Sequence, residues 1–540
     1  CGDETLAAFD FTGDGIISSN NDCVPVNLFT NEVLGQRAGQ LTDEEAAFLY
    51  DTRDFSTTYT QSIINGVATG TLADLPAGAL QGVVGFELRS DEIESNPDDI
   101  AEGGIFRNFF SDPGTNASKE TREVFGELSI PIVANKPFFR EMTLELAGRI
   151  TDDEYYGTND TYNTKFGWRP HDSLLLRGTY GTSFRAPNLR ENFLGEQTGF
   201  INIFDPCIVP ESAISAVIGG GAGVYNPDLD QREPIVLENC RREGIDPTTL
   251  GLNADGDRLT DAVYGIEALG GGSLELEPET STSYSYGFSF EQPWFEDFDL
   301  ALSLTYYNIE IQDSIIEPST GFIVYDCFNR DDGARSPYCD RIARGTNSAT
   351  SLTAENLITT VATDFINRDE EKAAGFDLNI AYNQDLTIFG EPFELNIDLR
   401  GNKLTERTTL LVNDQGVEDF QTFKSYWGYP EWRFENAVRL DYQKYRFTWT
   451  TRYIGSVEQN PDFVDEFGSL ATGGVGHTCI GAANGGVDCR DLAEADADLN
   501  HGASLFYRGD TWRIGGGVSN IFNQPPPIVD SSEVTAFNNT

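Results

Sequence analysis

Hydrophobic and polar positions alternate with a period of two along most of this chain. In the segment 284–290 every second residue is aromatic, and the residues between them are small or polar. The same alternation recurs at 376–383, 393–400 and 445–453. Successive side chains of a strand point to opposite faces, so this period predicts an all-β protein whose strands have one apolar face. A soluble sandwich fits alternation alone equally well, because either kind of sheet can have one wet face.

The pattern predicts about fourteen strands, many of them about 10–15 residues long. They lie at 62–70, 80–90, 120–132, 138–150, 162–168, 173–183, 275–290, 297–311, 371–385, 391–405, 432–442, 444–455, 497–507 and 511–522. Such lengths exceed those of ordinary globular strands and suit a tilted membrane crossing. Aromatic residues near strand ends would suit the two membrane interfaces, namely Tyr306, Tyr307, Trp432, Tyr442, Tyr445, Tyr453 and Trp512.

Short and long connections alternate between these strands. The short ones include 169–172, 443–444 and 508–510, whereas 151–161 is the one modest connection among the long ones. Long loops are predicted at 1–58, 91–119, 184–274, 312–370, 406–431 and 456–496. Neighbouring antiparallel strands reverse direction, so all long loops fall at one end of the sheet. Outer-membrane barrels have this asymmetry, with tight periplasmic turns and long external loops.

The eight cysteines form four pairs that are local in sequence, and every pair lies in a long loop. None has the CxxC spacing of a zinc or redox site, although free buried thiols are an alternative. We expect the disulfides Cys1–Cys23, Cys207–Cys240, Cys327–Cys339 and Cys479–Cys489. Such crosslinks form in an oxidising space and are most useful in long loops that lack a core of their own.

Composition excludes several classes of protein. The formal net charge of −51 makes nucleic acid an unsuitable partner. This acidity is typical of a salt-adapted surface, and calcium-bridged contact with lipopolysaccharide is the alternative. The 36 Phe and 21 Tyr residues argue against a disordered acidic chain. No uninterrupted apolar run approaches the length of a transmembrane helix, whereas barrel strands keep average hydropathy low.

Four segments of the chain resemble one protein family, in the family's order. The segment 181–191 reads GTSFRAPNLRE and closely resembles the strand-ending motif of TonB-dependent receptor barrels, carried here by Phe184, Arg185, Ala186 and Pro187. The segments 122–131 (with 145–149 on its partner strand), 276–281 and 517–523 are similar to other strands of the same barrels.

The resemblance implies a large transmembrane antiparallel up-and-down β-barrel with 22 strands in the full protein. The chain 1–540 would then be a partial barrel that begins near the eighth strand. The signal peptide, the TonB box, the plug, about seven early strands and the last strand would lie outside it. The implied location is the outer membrane of a Gram-negative bacterium. Implied partners are the TonB–ExbB–ExbD complex, lipopolysaccharide and outer-membrane lipid, a small-molecule or oligosaccharide substrate, and a surface lipoprotein.

The implied function is energised import of a scarce nutrient, such as siderophore-bound iron, cobalamin, an oligosaccharide or a peptide. A passive porin or a structural surface protein is the alternative. An enzyme is not expected, because the three histidines His171, His477 and His501 are dispersed and no hydrolase or nucleotide-binding motif is present. Loop aromatics that could stack on a ligand are Phe200, Phe204, Tyr225, Tyr325 and Phe328, with packing inside the loops as the alternative.

One short segment resembles the first half of an EF-hand loop. Its candidate calcium ligands are Asp10, Thr12, Asp14, Ile16 and Asn21, and a glycine stands at the sixth position. The twelfth position is Asn21 instead of the usual Glu, and a solvated acidic turn is the alternative. A weaker cluster comprises Asn253, Asp255, Asp257 and Asp261. No other cofactor is expected.

Overall fold

Antiparallel strands dominate the part of the chain that the computed structural model describes, which is residues 50–104, 111–217, 221–253, 258–260, 262–330, 333–345, 355–412, 418–458 and 494–525. Within these ranges no helix is both long enough and apolar enough to cross a membrane. The strands are β1 (Phe55–Leu75), β2 (Gly78–Pro97), β3 (Thr115–Lys136), β4 (Phe139–Asp153), β5 (Gly157–His171), β6 (Leu174–Arg185), β7 (Gln197–Phe204), β8 (Ile214–Val217), β9 (Gly221–Tyr225), β10 (Val263–Gly270), β11 (Glu279–Glu291), β12 (Phe298–Ile316), β13 (Ile342–Gly345), β14 (Leu357–Ala362), β15 (Ile366–Ile388), β16 (Glu391–Val412), β17 (Glu418–Thr422), β18 (Trp432–Tyr442), β19 (Tyr445–Ile454), β20 (Val457–Glu458), β21 (Glu494–Ala495), β22 (Asp498–Arg508) and β23 (Arg513–Val518). The helices are α1 (Asp99–Glu102), α2 (Leu189–Phe193), α3 (Pro234–Arg242) and α4 (Thr320–Asn329), with 3-10 turns at Glu211–Ala213, Pro227–Leu229 and Pro337–Arg341.

One continuous antiparallel sheet, which we call the wall, contains fourteen strands in the order β1-β2-β3-β4-β5-β6-β11-β12-β15-β16-β18-β19-β22-β23. Strand β17 adds to β16 outside this order. The predicted all-β fold and strand order are confirmed. Several strands are longer than predicted, since β1 covers Phe55–Leu75 and not only 62–70. Backbone pairing with a neighbour extends a strand beyond its apolar segment, because the ladder of hydrogen bonds does not depend on side-chain polarity.

Tight turns close one end of the wall. Phe389 and Gly390 connect β15 to β16, with φ of 54° and 85°. Two positive φ values define a type I′ turn, whose twist matches that of the flanking strands, and the second position suits glycine. At the opposite end three residues connect β4 to β5, whereas the other connections are longer, and the longest lie between β6 and β11 and between β12 and β15.

The strand register places the apolar residues of the wall on one face. Tyr306 lies opposite Tyr286 and Phe376 on the neighbouring strands, with ring centroids 5.2 and 5.1 Å apart. Phe434 on β18 stacks on Tyr453 of β19 at 4.4 Å. We call this side of the sheet the apolar face. It continues across strands because the pairing aligns residues of the same parity.

Charged and amide side chains line the other face, which we call the polar face. Asn402 donates to Asp377 at 2.8 Å, and Arg446 forms a two-contact ion pair with Asp441 at 2.7 and 2.9 Å. The prediction for Tyr307 is wrong, because this residue follows Tyr306 on β12 and therefore faces the polar side. Its hydroxyl accepts a hydrogen bond from Asn402 at 3.2 Å.

The main cluster of buried apolar residues lies outside the wall. It is formed by the two longest loops, at positions such as Ile266, Phe328 and Val361. A single layer of sheet cannot bury apolar side chains against itself, so a buried core requires a second layer.

Candidate functional site: a cap built from two loops

Two loops that are distant in sequence form one folded unit, which we call the cap. It consists of the described residues of 189–270 and 320–362. Its sheet has the order β13-β14-β10-β7. The strand β10 from the first loop runs parallel to β14 from the second, with Glu267 opposite Thr360, and antiparallel to β7. The cap sheet therefore requires both loops.

Two disulfides lie in the core of the cap. Cys207 is bonded to Cys240 of α3, and Cys327 of α4 is bonded to Cys339. These two predicted pairings are confirmed, whereas Cys1, Cys23, Cys479 and Cys489 lie outside the described residues. The expectation that the long loops lack a core is wrong. Each loop alone is too small to bury one, but together they supply enough apolar side chains.

A buried ionic network joins the two loops. Asp205, which is fully buried, receives two hydrogen bonds from Arg344 at 2.7 and 2.9 Å. The hydroxyl of Tyr264 donates to the same carboxylate at 3.0 Å and accepts from the backbone N–H of Ile358 at 2.8 Å. Burial, and then the negative charge of Asp205, raise the pKa of Tyr264 well above its ordinary value. Tyr264 therefore remains a protonated donor.

The helices of the cap are joined by an amide. The buried side chain of Asn239 on α3 donates to the carbonyl oxygens of Phe328 and Arg330, at 2.9 Å each. These carbonyls lie at and just beyond the C-terminal end of α4, where helical carbonyls lack partners within the helix. The Asn239 side chain of α3 therefore satisfies carbonyl groups at the C-terminal end of α4.

The arginine of the predicted family motif connects the cap to the wall. Arg185, at the end of β6, donates to both carboxylate oxygens of Glu279 on β11, at 2.6 and 2.7 Å. It also donates to both oxygens of Glu191 in α2, at 3.0 and 2.9 Å. Asn188 caps α2 through a reciprocal capping box with Glu191. Arg185 thus holds two wall strands and the first helix of the cap in a fixed geometry.

The backbone of the motif is also held by a residue of β3, a strand that is not adjacent to β6 in the wall. Lys119 of β3 donates to the carbonyl oxygen of Pro187 at 2.9 Å. The same ammonium group forms a buried ion pair with Asp153 at 3.1 Å. Phe184 and Ala186 flank Arg185 and carry no such polar contact through their side chains. The motif therefore acts through its arginine and its backbone.

The predicted ligand-contacting aromatics occupy different environments. Phe200 and Phe204, on the edge strand β7, are 80% and 50% exposed. Tyr325 on α4 is also exposed, at 44%, whereas Tyr225 is partly buried and donates to Asp230 at 2.8 Å. Phe328 is 1% exposed and lies in the core of the cap. The ligand prediction for Phe328 is not supported, because a fully enclosed ring cannot meet a ligand.

Phe200 and Phe204 share one face of the cap sheet. They are four positions apart on β7, so both rings lie on the side opposite the inward-facing Ile203. Val263 pairs with Phe204 and is 57% exposed on the same side. We call Phe200, Phe204 and Val263 the aromatic shelf.

The predicted calcium site at Asp10–Asn21 lies outside the described residues. Of the weaker cluster, only Asn253 lies within them. Among the residues that the structure describes, no group of three or more His, Cys, Asp or Glu side chains is placed to hold a metal. Both calcium sites therefore stay predictions.

Sequence reasoning missed the network around Asp205 and Arg344. Their separation of 139 positions leaves no local pattern to detect. One weak sequence signal for this network is the position of Asp205, two residues before Cys207. In the structure the Asp205 carboxylate accepts a hydrogen bond from the Cys207 N–H at 3.1 Å.

A meandering antiparallel wall with an apolar face, a polar face and long loops at one end defines a transmembrane β-barrel protein. A model of the TonB-dependent receptor-like β-barrel family matches residues 9–521, so the chain belongs to this family. The family places the protein in the Gram-negative outer membrane, with the apolar face toward lipid, and its members are transporters, not enzymes.

Solved structures of siderophore and hemophore receptors are similar to this chain at low sequence identity. The siderophore receptor PirA from Acinetobacter baumannii is 14% identical with a TM-score of 0.45, over 87% of this chain and 51% of that one. A mutant ferric enterobactin receptor from Pseudomonas aeruginosa is 12% identical with a TM-score of 0.45, over 86% and 49%. The Serratia marcescens hemophore receptor HasR is 12% identical with a TM-score of 0.44, over 87% and 57%. The chain spans about half the length of these receptors.

Proposed function

We propose that this chain supplies most of the barrel and the ligand-contacting cap of a TonB-dependent importer. Family membership supports the transport class, and the contacts of Arg185 carry the rest of the argument. This side chain joins β6, β11 and α2 through charged hydrogen bonds. Charged two-contact pairs of this kind are the strong and directional ones, so the cap is held firmly at the mouth of the wall. A passive pore has no need for such a firmly held cap.

We further propose that the long loops are extracellular and that import is energised by the TonB–ExbB–ExbD complex. Disulfides in the cap suit an oxidising space. A ligand that arrives from outside the cell contacts an extracellular cap before it reaches the barrel. The cap core then provides a rigid support on which contact residues keep their positions without the ligand.

The aromatic shelf is the proposed contact surface for the transported nutrient. Phe200 and Phe204 expose flat rings on a rigid sheet and lose little side-chain entropy on binding. Ring faces stack on sugar rings, on aromatic chelators and on the planar parts of a corrin. The substrate class is therefore a scarce nutrient with ring surfaces, of the siderophore, cobalamin or oligosaccharide type.

Uptake measurements in the full-length protein test the proposal. Cells with and without the gene are offered a panel of labelled ferric siderophores, cobalamin, oligosaccharides and peptides, at concentrations below those that porins deliver. We expect uptake of one class that stops with an uncoupler or when tonB is deleted. Uptake that depends on the gene but continues without TonB would establish the passive porin instead. Phe389→Ala, in a turn at the opposite end of the wall, is the matched control for substitutions on the shelf.

A further inference from the structure

One lysine interrupts a row of aromatic side chains on the apolar face of the wall. The strand register aligns Tyr286, Tyr306, Phe376, Lys403 and Trp432 across β11, β12, β15, β16 and β18. The Lys403 ammonium lies 4.7 Å from the centroid of the Trp432 ring, so both side chains are on the same face. We call these residues the aromatic row.

The aromatic row marks the boundary between apolar and charged positions on this face. Two positions toward the tight turns lie Leu304, Leu378 and Phe434. Four positions toward the long loops, Glu310 lies opposite Lys372. Tryptophan and tyrosine rings concentrate at the level of the lipid headgroups. The aromatic row therefore lies where the hydrocarbon ends and the headgroups begin.

Lys403 shares a carboxylate with a second lysine. Its ammonium lies 3.3 Å from one oxygen of Glu431, and the ammonium of Lys424 lies 4.0 Å from the other oxygen. The backbone N–H of Leu404 donates to the carbonyl oxygen of Glu431 at 2.8 Å, which holds Glu431 beside Lys403. All three charged side chains are partly exposed. Two ammonium groups against one carboxylate leave a net positive charge, and we call Lys403, Lys424 and Glu431 the lysine cluster.

Other charges on the same side of the wall, near the long loops, are mostly negative. We call this lipid-facing region the loop-end belt. Its two further described cations are each paired with a carboxylate, Arg122 with Glu120 at 3.2 Å and Lys372 with Glu406 at 3.6 Å. By register, further described acidic residues of the belt are Glu92, Glu94, Asp152, Asp160, Glu310 and Glu370. Among these described residues, positive charge exceeds negative charge only at the lysine cluster.

We infer that the lysine cluster binds a phosphate group of lipopolysaccharide in the outer leaflet of the membrane. This inference rests on the proposed extracellular position of the long loops, which places the aromatic row in that leaflet. The lipid A part of lipopolysaccharide carries its phosphate groups at the headgroup level. Glu431 keeps both ammonium groups within reach of one phosphate, to which they donate charge-assisted hydrogen bonds. The acidic remainder of the loop-end belt repels phosphate, so charge directs the lipid to this position.

Binding of purified lipid A to the full-length protein in detergent tests this inference. Native mass spectrometry measures the bound fraction during titration with phosphorylated lipid A and with lipid A whose phosphates have been removed. We expect Lys403→Gln combined with Lys424→Gln to weaken binding of phosphorylated lipid A about thirtyfold, as for the loss of two cations near a lipid surface. Dephosphorylated lipid A should bind to the wild type and to this variant equally.

Arg122→Gln combined with Lys372→Gln is the matched control. It removes two cations from the same belt, each of which is paired with its own carboxylate, so the affinity should stay within about twofold of the wild type. Heat-dependent migration on gels verifies that each variant is folded. Unchanged affinity in the lysine-cluster variant, or an equal loss in the control, would overturn the inference.

Two further measurements separate the source of the phosphate from the orientation of the protein. Phosphatidylglycerol is titrated in the same way, and an equal dependence on the lysine cluster would overturn the assignment to lipopolysaccharide. A membrane-impermeant maleimide is applied to intact cells that carry Asp228→Cys in the cap. Labelling supports the extracellular position of the loops independently of lipid binding. Absence of labelling would overturn that position, and with it the placement of the lysine cluster in the outer leaflet.

Discussion

Arg344 and Asp205 form a buried two-contact ion pair between residues 139 positions apart in sequence. Asp205 is fully buried, and the guanidinium of Arg344 also lies 5.1 Å from the ring centroid of Phe328. The pair therefore joins the two loops of the cap at the point where the core and the β10–β14 sheet meet. Its geometry explains why neither loop is expected to fold without the other.

Asp205→Asn is expected to destabilise the cap by about 3–5 kcal/mol, because it leaves the Arg344 charge buried without its partner. Proteolysis at increasing denaturant concentration measures the free energy of cap unfolding. Asp340→Asn is the matched control, since Asp340 is 75% exposed, its partner Arg335 keeps a second pair with Glu243, and an exposed pair contributes about 0–1 kcal/mol. Equal effects of the two substitutions would contradict the structural role of the buried pair.

The two cap disulfides are expected to stabilise unequally. Replacing Cys207 and Cys240 together by alanine removes a closure of 33 positions, and replacing Cys327 and Cys339 removes one of 12 positions. Loop-closure entropy then predicts losses of about 3.7 and about 2.8 kcal/mol. The same proteolysis assay measures both. A larger loss for the shorter closure would show that packing around the sulfur atoms outweighs the effect on the unfolded chain.

Arg185→Lys is expected to weaken the connection between cap and wall, although the substitution keeps the positive charge. A lysine cannot make two-contact bonds to Glu279 and Glu191 together, so we expect a loss of about 1–2 kcal/mol at this partly exposed site. Ligand uptake should fall as well, because the cap loses its fixed position. The midpoint of heat-dependent gel migration and the uptake rate are the measurements. Arg177→Lys is the control, since Arg177 donates to the single hydroxyl of Thr305.

Acidic pH is expected to destabilise the part of the cap around Asp230. Burial acts to raise the pKa of Asp230, but hydrogen bonds from Arg232 outweigh it and hold the pKa below its ordinary value. A carboxyl with a lowered pKa in the folded state stabilises the fold above its unfolded pKa, and the contribution disappears as the pH falls through the lowered value. The free energy of cap unfolding should therefore stay constant from neutral pH to about pH 5 and decrease at pH values below about 4.

Asp230→Asn tests the assignment of this pH dependence. The variant should be less stable than the wild type at neutral pH, and the difference should shrink as the solution is acidified. Thermal unfolding of the cap at a series of pH values is the measurement, with Asp228→Asn at an exposed neighbouring position as the control. A difference that stays constant with pH would exclude the carboxylate of Asp230 as its source.

Substitutions of the exposed phenylalanines of the cap should affect uptake, whereas substitution of the buried one should affect stability. Phe200→Ala combined with Phe204→Ala is expected to reduce uptake strongly with little change in unfolding, since both rings are exposed. Phe328→Ala is expected to cost about 3–5 kcal/mol through the cavity that it leaves. Uptake rate and cap unfolding are measured on both variants. Unchanged uptake by the shelf variant would remove the aromatic shelf as the ligand surface.

The sequence by itself determined the wall. The period of two in segments such as 284–290 and 432–442 predicted the strands and their order, because strand geometry ties side-chain direction to local sequence. It also determined two disulfide pairs, since the cysteines are close along the chain. The motif at 181–191 indicated the family correctly.

Only the tertiary structure decided how the two longest loops are used. The parallel pairing of β10 with β14, the burial of Phe328 and the ion pair between Asp205 and Arg344 all join segments far apart in sequence. Local periodicity carries no information about such partners, because contacts of this kind depend on how distant segments are brought together in space.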